Sequence, residues 1–308
     1  MKEKILGIHH VTAIGKNPKK NIDFYTKILG LRLVKMTVNF DDPTAYHLYY
    51  GDEIGHPGTI LTFFIYPDSE HGKTGNGQAI TICFSIPPKA VDFWMNHFEK
   101  NKIKCKTSSH FNEQIISFLD YDELKLELVA DKDSKSEYAW KKGQIPREHA
   151  IRGIHHVTLS EEGYETTAEL LSCIGFKLLI QEGNYFRYKA QGDHGTIIDI
   201  SCAPDSAPGI IGVGCVHHVA FRTPKDKEQK YWHDVLAKYG MNVTPIVDRK
   251  YFHSIYFREP GGVLFEIATD PPGFTVDEKL KELGKKLVLP EWCESIREKI
   301  EKVLPSIK

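Results

Sequence analysis

Histidines in register carry the clearest chemical promise in this chain. Gly7-Ile8-His9-His10-Val11-Thr12 returns as Gly153-Ile154-His155-His156-Val157-Thr158, and a shorter form, Val216-His217-His218-Val219, follows. A run of alternating apolar residues with a histidine at a fixed place is a strand that sends one imidazole to the same side each time. Adjacent strand residues point to opposite faces, so only one histidine of each pair can enter a site directly. Imidazole is a common ligand for Fe, Zn, Cu and Ni, so repeated histidines in register point to a metal site.

The elements that position these histidines repeat with them. Leu6–Ala13 reads as a strand, Asn21–Leu29 has helical spacing and stops at Gly30, and strands follow over Arg32–Val38, Ala45–Tyr50 and Thr59–Tyr66. The same order starts again at Ala79–Ile86, at Ile154–Leu159 and at Val216–Arg222, with helices over Ala90–Lys100, Thr166–Cys173 and Gln229–Tyr239 and final strands over Lys125–Val129, Thr196–Ser201 and Val263–Ala268. Four βαβββ modules therefore build an α+β protein. Each leaves one sheet face bare and must pair with another module. Lys132–Arg147 is charged and polar, with Gly143 and Pro146, and separates two halves. The expected organisation is one domain over 5–131, a linker over 132–150, a second domain over 151–270 and a helical tail over 271–308. In the tail, Phe274–Leu283 and Glu291–Leu304 read as amphipathic helices.

Each module offers one ligand slot on its first strand and one on its last. The first-strand slots hold His10, Thr81, His156 and His218; the last-strand slots hold Thr62, Glu127, Asp199 and Glu266. Pairing within halves would gather His156, Asp199, His218 and Glu266 in the second half, a four-ligand site. Pairing module 1 with module 4 would gather His10, His218 and Glu266. Two histidines and one carboxylate with open positions is the facial triad of non-haem Fe(II) oxygenases.

The paired modules, with histidine on a first strand and carboxylate on a last, resemble the vicinal oxygen chelate superfamily of glyoxalase I, extradiol dioxygenases and bleomycin-resistance proteins. Ile255-Tyr256-Phe257-Arg258-Glu259-Pro260-Gly261-Gly262-Val263-Leu264-Phe265-Glu266 is similar to the last part of the extradiol ring-cleavage signature. The wider stretch from Asp248 to Asp270, with the Leu283-Gly284 and Leu289-Pro290 tail, resembles the hydroquinone-cleaving branch. Catechol-cleaving relatives keep a histidine a few residues before the Ile-Tyr pair; here the text is Val247-Asp248-Arg249.

This resemblance implies the pairing of module 1 with module 4, with His10, His218 and Glu266 holding Fe(II). Mn(II) satisfies the same triad, and His156 is the rival to His10. It implies a dioxygenase that opens a small aromatic substrate with both atoms of O2, in aromatic catabolism or detoxification. Tyr256 and Arg249 are the expected catalytic groups, with His9 and His217 behind the ligands and Thr12 bonded to one of those histidines. His47, His56, His110, His194 and His253 have no slot and are expected at the surface or in loops. Tyr46, Phe63 and Phe252 are candidate walls of a pocket. A glyoxalase-like isomerase is the alternative and requires His156 and Asp199; a non-catalytic binder of aromatic compounds requires no triad.

Composition narrows the partners. The chain has 308 residues, 41% hydrophobic and 26% charged, with net charge −1. Such a balance favours neither nucleic acid nor an anionic membrane. No apolar run reaches the roughly 18 residues of a membrane span, and Met1-Lys2-Glu3-Lys4-Ile5 leads straight into a strand rather than a signal segment. The six cysteines are scattered without metal-type spacing, as expected of free thiols in a reducing cytoplasm. The tail helices either cover a sheet or join copies into a homo-oligomer.

Overall fold

A computed structural model describes residues 3–307. Module 1 comprises β1 (Ile8–Gly15), α1 (Pro18–Asp23), β2 (Arg32–Val38), β3 (Tyr46–Gly51) and β4 (Ile60–Ile65). Module 2 comprises β5 (Gln78–Ile86), α2 (Val91–Lys100), β6 (Cys105–His110), β7 (Glu113–Leu119) and β8 (Lys125–Ala130). Module 3 comprises β9 (Ile154–Glu161), α3 (Glu165–Cys173), β10 (Lys177–Glu182), β11 (Tyr185–Lys189) and β12 (Ile197–Cys202). Module 4 comprises β13 (Val216–Thr223), α4 (Asp226–Lys238), β14 (Val247–Asp248), β15 (Phe252–Arg258) and β16 (Leu264–Pro272).

These strands form two eight-stranded sheets. One runs β14-β15-β16-β13-β1-β4-β3-β2 and joins module 4 to module 1; the other runs β10-β11-β12-β9-β5-β8-β7-β6 and joins module 3 to module 2. At the centre of each, two first strands meet antiparallel, β1 with β13 and β5 with β9. Each first strand lies parallel to its own module's last strand, which puts a βαβ-type crossover within each module. The strands are rich in β-branched and aromatic residues, and their sides facing the helices merge in one core that includes Phe24, Trp94, Leu170 and Trp232.

The sheets meet at a glycine corner. Ile8 N–H donates to Gly195 O at 2.7 Å, and Ile154 N–H donates to Gly58 O at 2.8 Å, a reciprocal pair of contacts between modules 1 and 3. A Cβ on Gly7 would lie 2.6 Å from Gly195 O, and φ there is +141°, so glycine is what lets the two backbones touch.

Two helices differ from their expected form. α1 passes into a single π-type stretch at Phe24–Ile28, which turns Phe24 and Tyr25 into the core before Gly30 ends it. In the tail, Phe274–Leu283 is not a helix but two 3-10 turns at Phe274–Val276 and Leu280–Glu282; α5 (Glu291–Glu294) and α6 (Arg297–Val303) follow. The apolar spacing there serves packing instead: Phe274 and Leu283 fill one end of the module 1/4 sheet beside Val34, Tyr49 and Tyr251. A buried lysine fixes this plug. Lys35 Nζ lies 2.7 Å from Asp277 Oδ1 and 2.5 Å from Glu278 Oε2 and is fully buried. Among the described residues no helix is long and apolar enough to cross a membrane.

Two stability tests follow from buried charge. Lys35→Met leaves the buried Glu278 without its cation and Asp277 with Lys250 alone, and urea denaturation should show a loss of about 3–5 kcal/mol; a loss below about 1 kcal/mol would mean the tail is held by apolar packing alone. Glu161, at the end of β9, is fully buried with neither carboxyl oxygen hydrogen-bonded. Burial, helped by the charge of Glu259, pushes it from near 4.5 up to about 8. The unfolded chain releases this proton first, so the group removes stability as pH rises from about 4.5 to about 8. Glu161→Gln should therefore be the more stable protein at about pH 8.5 by at least about 1 kcal/mol, with the advantage vanishing near about pH 4. An advantage independent of pH would show that the charge is not what is relieved.

Candidate metal centre

One rung of the module 1/4 sheet assembles the centre. His10 on β1 stands opposite Ala220 on β13, Ala220 opposite Glu266 on β16, and Glu266 opposite Tyr256 on β15. All four side chains share one face, and the small Ala220 leaves room above itself for its neighbours to converge. His218, two residues before Ala220, points the same way. His10 Nε2 and His218 Nε2 are 3.3 Å apart, and Glu266 Oε2 lies 3.4 Å from the first and 2.9 Å from the second. Six-coordinate geometry with bonds near about 2.1 Å separates adjacent donors by about 3 Å. His156, the rival to His10, lies in the other sheet and does not reach this cluster.

The donor set fits a divalent cation. Glu266 is fully buried, and its Oε2 accepts no hydrogen bond. Its other oxygen is occupied by Ser254 Oγ–H at 2.5 Å, so Oε2 is left facing the two imidazoles. Burial alone would push the Glu266 carboxyl up; His10 and His218 in their protonated form more than reverse this and hold it well below the usual range, a part that a metal cation takes over when the imidazoles are neutral. A buried carboxylate that stays ionised needs a cation beside it.

Each ligand histidine is backed by its sequence neighbour. His10 Nδ1 is 2.9 Å from His9 Nδ1, and His218 Nδ1 is 2.8 Å from His217 Nδ1. Strict strand alternation would send the members of a pair apart. The ladder slips between Ile8 and His10, and again where Thr12↔His218 gives way to Ala13↔Val216, so His9 and His217 are the extra residues of β-bulges. The bulge turns each backing ring round its neighbour. An Nδ1–H donated backward leaves Nε2 of His10 and His218 as a lone pair directed at the centre.

A cavity of about 390 Å3 opens over this face. Phe40, Phe64 and Phe252 give it aromatic walls, while Tyr256, Arg249 and His217 supply polar groups. Of the three aromatic residues expected there, Phe252 alone lines the cavity; Phe63 packs against Tyr25 and Tyr50 in the core, and Tyr46 lies outside. Arg249 Nε–H donates to Tyr256 Oη at 3.0 Å, and its other nitrogens grip Asp41 at 3.0 and 2.9 Å. Burial, helped by the Glu266 charge and opposed by Arg249, raises the Tyr256 phenol, so it stays protonated.

Two expectations need correction. Thr12 Oγ1 is 2.8 Å from Thr62 Oγ1, not bonded to a histidine; the parallel pairing of β1 and β4 sets the two hydroxyls side by side. His47 is not a surface residue. It sits on β3, buried, and lines the cavity. Its Nε2 is 2.8 Å from Thr62 Oγ1 and its Nδ1 is 2.9 Å from Tyr49 Oη, so Tyr49, His47, Thr62 and Thr12 form one hydrogen-bonded chain beside the centre. The signal lay in the alternation of Tyr46-His47-Leu48-Tyr49, which puts His47 and Tyr49 on one face. His194 is likewise buried, stacked on Tyr138 at 4.0 Å; His56, His110 and His253 are at least partly exposed.

Residues 7–128 and 153–267 match the Glyoxalase/Bleomycin resistance protein/Dioxygenase superfamily. A Bacillus subtilis relative named "Putative ring-cleaving dioxygenase MhqO" is 44% identical over 305 residues, covering 99% of this chain and 97% of its own. The chlorohydroquinone/hydroquinone 1,2-dioxygenase of Sphingobium indicum is 32% identical over 311 residues, covering 97% and 95%. The crystal structure of a Bacillus subtilis protein titled "putative dioxygenase" superposes with a TM-score of 0.96 at 43% identity, over 100% of this chain and 99% of that one. The chain belongs to the Glyoxalase/Bleomycin resistance protein/Dioxygenase superfamily, among its ring-cleaving dioxygenases.

Proposed function

We propose that this enzyme is an Fe(II)-dependent, extradiol-type dioxygenase that opens the ring of hydroquinones or related dihydroxylated aromatics. The observation that carries the reading is the convergence of His10, His218 and Glu266 beneath an aromatic-walled cavity. The relatives named for ring cleavage and for hydroquinones support the substrate class. Free thiols at all six cysteines suit a reducing compartment such as the cytoplasm.

His10, His218 and Glu266 would hold the iron, and Mn(II) would accept the same donors. Bound there, Fe(II) supplies neighbouring open positions for a phenolate and O2 and a path for electron density between them. The protein does the rest. Phe40, Phe64 and Phe252 hold the substrate ring and exclude water. Tyr256, kept protonated by burial, presents an O–H donor to a substrate oxygen, since its lone pair is already taken by Arg249 Nε–H. Arg249 balances negative charge on the substrate, and Asp41 keeps the guanidinium from swinging away. His217, backing His218 through Nδ1, keeps its Nε2–H as a further donor at the cavity wall. His9 and Thr12 act at one remove, by fixing His10 and the Thr62–His47 chain.

Oxygen uptake by the iron-loaded enzyme tests the reading directly: one O2 consumed per hydroquinone, with both labelled atoms in the ring-opened product. Turnover that continues without O2 would reject it. His10→Ala should abolish turnover while His156→Ala keeps it; the reverse result would move the reaction to the other sheet. Tyr256→Phe keeps the packing but removes the O–H donor, and kcat should fall by about 10²–10⁴-fold with iron content unchanged. Arg249→Lys should also lower turnover, because a point charge cannot hold Tyr256 and Asp41 in one planar fork. Near-normal rates in both variants would remove these residues from the chemistry.

A further inference from the structure

The module 2/3 sheet repeats the rungs of the module 1/4 sheet with different residues. Glu266 is opposite Tyr256; its counterpart Asp199 on β12 is opposite Arg187 on β11. Arg187 forks Asp199 through Nε and NH2, each at 2.8 Å, and reaches Glu113 through NH1 at 2.6 Å. A guanidinium thus neutralises the carboxylate that, in the other sheet, faces the metal centre. The seat used there is taken.

The neighbouring rung is not. In the first sheet it holds Thr62, Thr12 and His218 on β4, β1 and β13. In the second it holds Glu127 on β8, Cys83 on β5 and His156 on β9, with Cys83 in the middle of three adjacent strands. The paired hydroxyls of Thr12 and Thr62 are replaced by a thiol and a carboxylate. Cys83 Sγ lies 3.3 Å from Glu127 Oε2, and ligand atoms of all three residues lie within 4.8 Å of one another. Cys83 and His156 are buried and Glu127 is half-buried.

Outer contacts prepare the donors. His155 Nε2 is 3.3 Å from Glu113 Oε1, and His155 Nδ1 is 2.7 Å from His156 Nδ1. With His155 donating to the carboxylate, its Nδ1 accepts from His156 Nδ1–H, and His156 Nε2 is left as a lone pair. That lone pair lies 3.3 Å from Asp199 Oδ2, whose charge Arg187 already answers. Ser117 Oγ–H and Lys125 Nζ hold Glu127 Oε1, at 3.0 and 3.4 Å, which leaves Oε2 for the site. A carboxylate–histidine relay behind a ligand is a usual support of metal sites.

We propose that Cys83, Glu127 and His156 form a second metal site, for a divalent ion that accepts thiolate, Zn(II) by preference. A thiolate ligand selects the softer divalent ions, Zn(II) among them, a preference that the N2O triad of the first sheet has no sulfur to express. The thiol proton leaves to solvent as the ion enters, and the metal–sulfur bond replaces the Cys83–Glu127 hydrogen bond. The site does not depend on the dioxygenase reading. It holds its ion as a cross-strand clamp through β8, β5 and β9.

A thiolate-to-cobalt band reads this site alone, because the first centre has no sulfur ligand. Chelator-stripped, reduced protein titrated with Co(II) under anaerobic conditions should develop a near-ultraviolet thiolate-to-cobalt charge-transfer band, and in His10→Ala, where the first centre is disabled, that band should saturate at one equivalent. His10→Ala should keep the band while losing turnover, so the two sites are judged separately. Cys83→Ser and His156→Ala should lose the band, and Zn(II) binding should fall by one equivalent relative to wild type. No band in wild type, or a band that survives in Cys83→Ser, overturns the proposal. Should Cys83→Ser fail to fold, Glu127→Gln decides the question in its place: a weakened or shifted band supports the site, and an unchanged titration overturns it.

Discussion

The antiparallel contact of β1 with β13 is the constraint on which the rest depends. It joins strands that lie about 200 residues apart and sets His10 against Ala220 and Thr12 against His218. That register sets His10 beside His218, and the parallel pairing of β16 with β13 adds Glu266. A one-residue slip would turn His10 to the other face and bring His9 inward, and Glu266 would keep His218 alone of its two present imidazoles. The centre is buried, so a misplaced carboxylate could not escape to water. Register and ionisation therefore enforce one another: the sheet brings the charges together, and Glu266 with its imidazoles favours the register that pairs them.

Much of this is legible in the sequence. The βαβββ order is readable because helical and strand periods alternate within each module and repeat four times. β2 falls on the expected residues, and α2 and α3 lie within one residue of theirs. The triad is legible as a set of slots, but the choice between His10 and His156 is not, because strand partners far apart in the chain leave no local mark. The tail misleads for a related reason: Phe274 and Leu283 have helical spacing, yet both are claimed by the cavity end of a sheet. His47 escapes a reading built on repeats because it belongs to none. Its importance comes from Tyr49 and Thr62, one on its own strand and one across it.

The two sheets show how one architecture can be used twice with different electrostatics. At matching positions stand Tyr256 and Arg187, Glu266 and Asp199, His218 and His156. In the first sheet a neutral phenol leaves the carboxylate to the two imidazoles. In the second a guanidinium answers the carboxylate from within the chain. A permanent cation of this kind is bound without an entry path and cannot be exchanged, so it serves packing where its counterpart serves chemistry. Bulged histidine pairs persist in both sheets, which shows that the backing ring belongs to the module and not to one reaction.

The order of the modules also carries a timing. Modules 2 and 3 are neighbours in sequence and complete their sheet by Cys202, whereas module 1 finds its partner only after Pro272 has been made. On the ribosome, at about 5–20 residues per second, β1 waits at least roughly ten seconds with an unpaired edge before β13 and β16 exist. The inner sheet is thus the natural nucleus, and the glycine corner gives the waiting strand a provisional anchor, since Gly195 O is available to Ile8 N–H as soon as module 3 has folded. The metal centre closes only with β16, and a chain cut short between Cys202 and β16 would carry the inner sheet with no metal centre beside it.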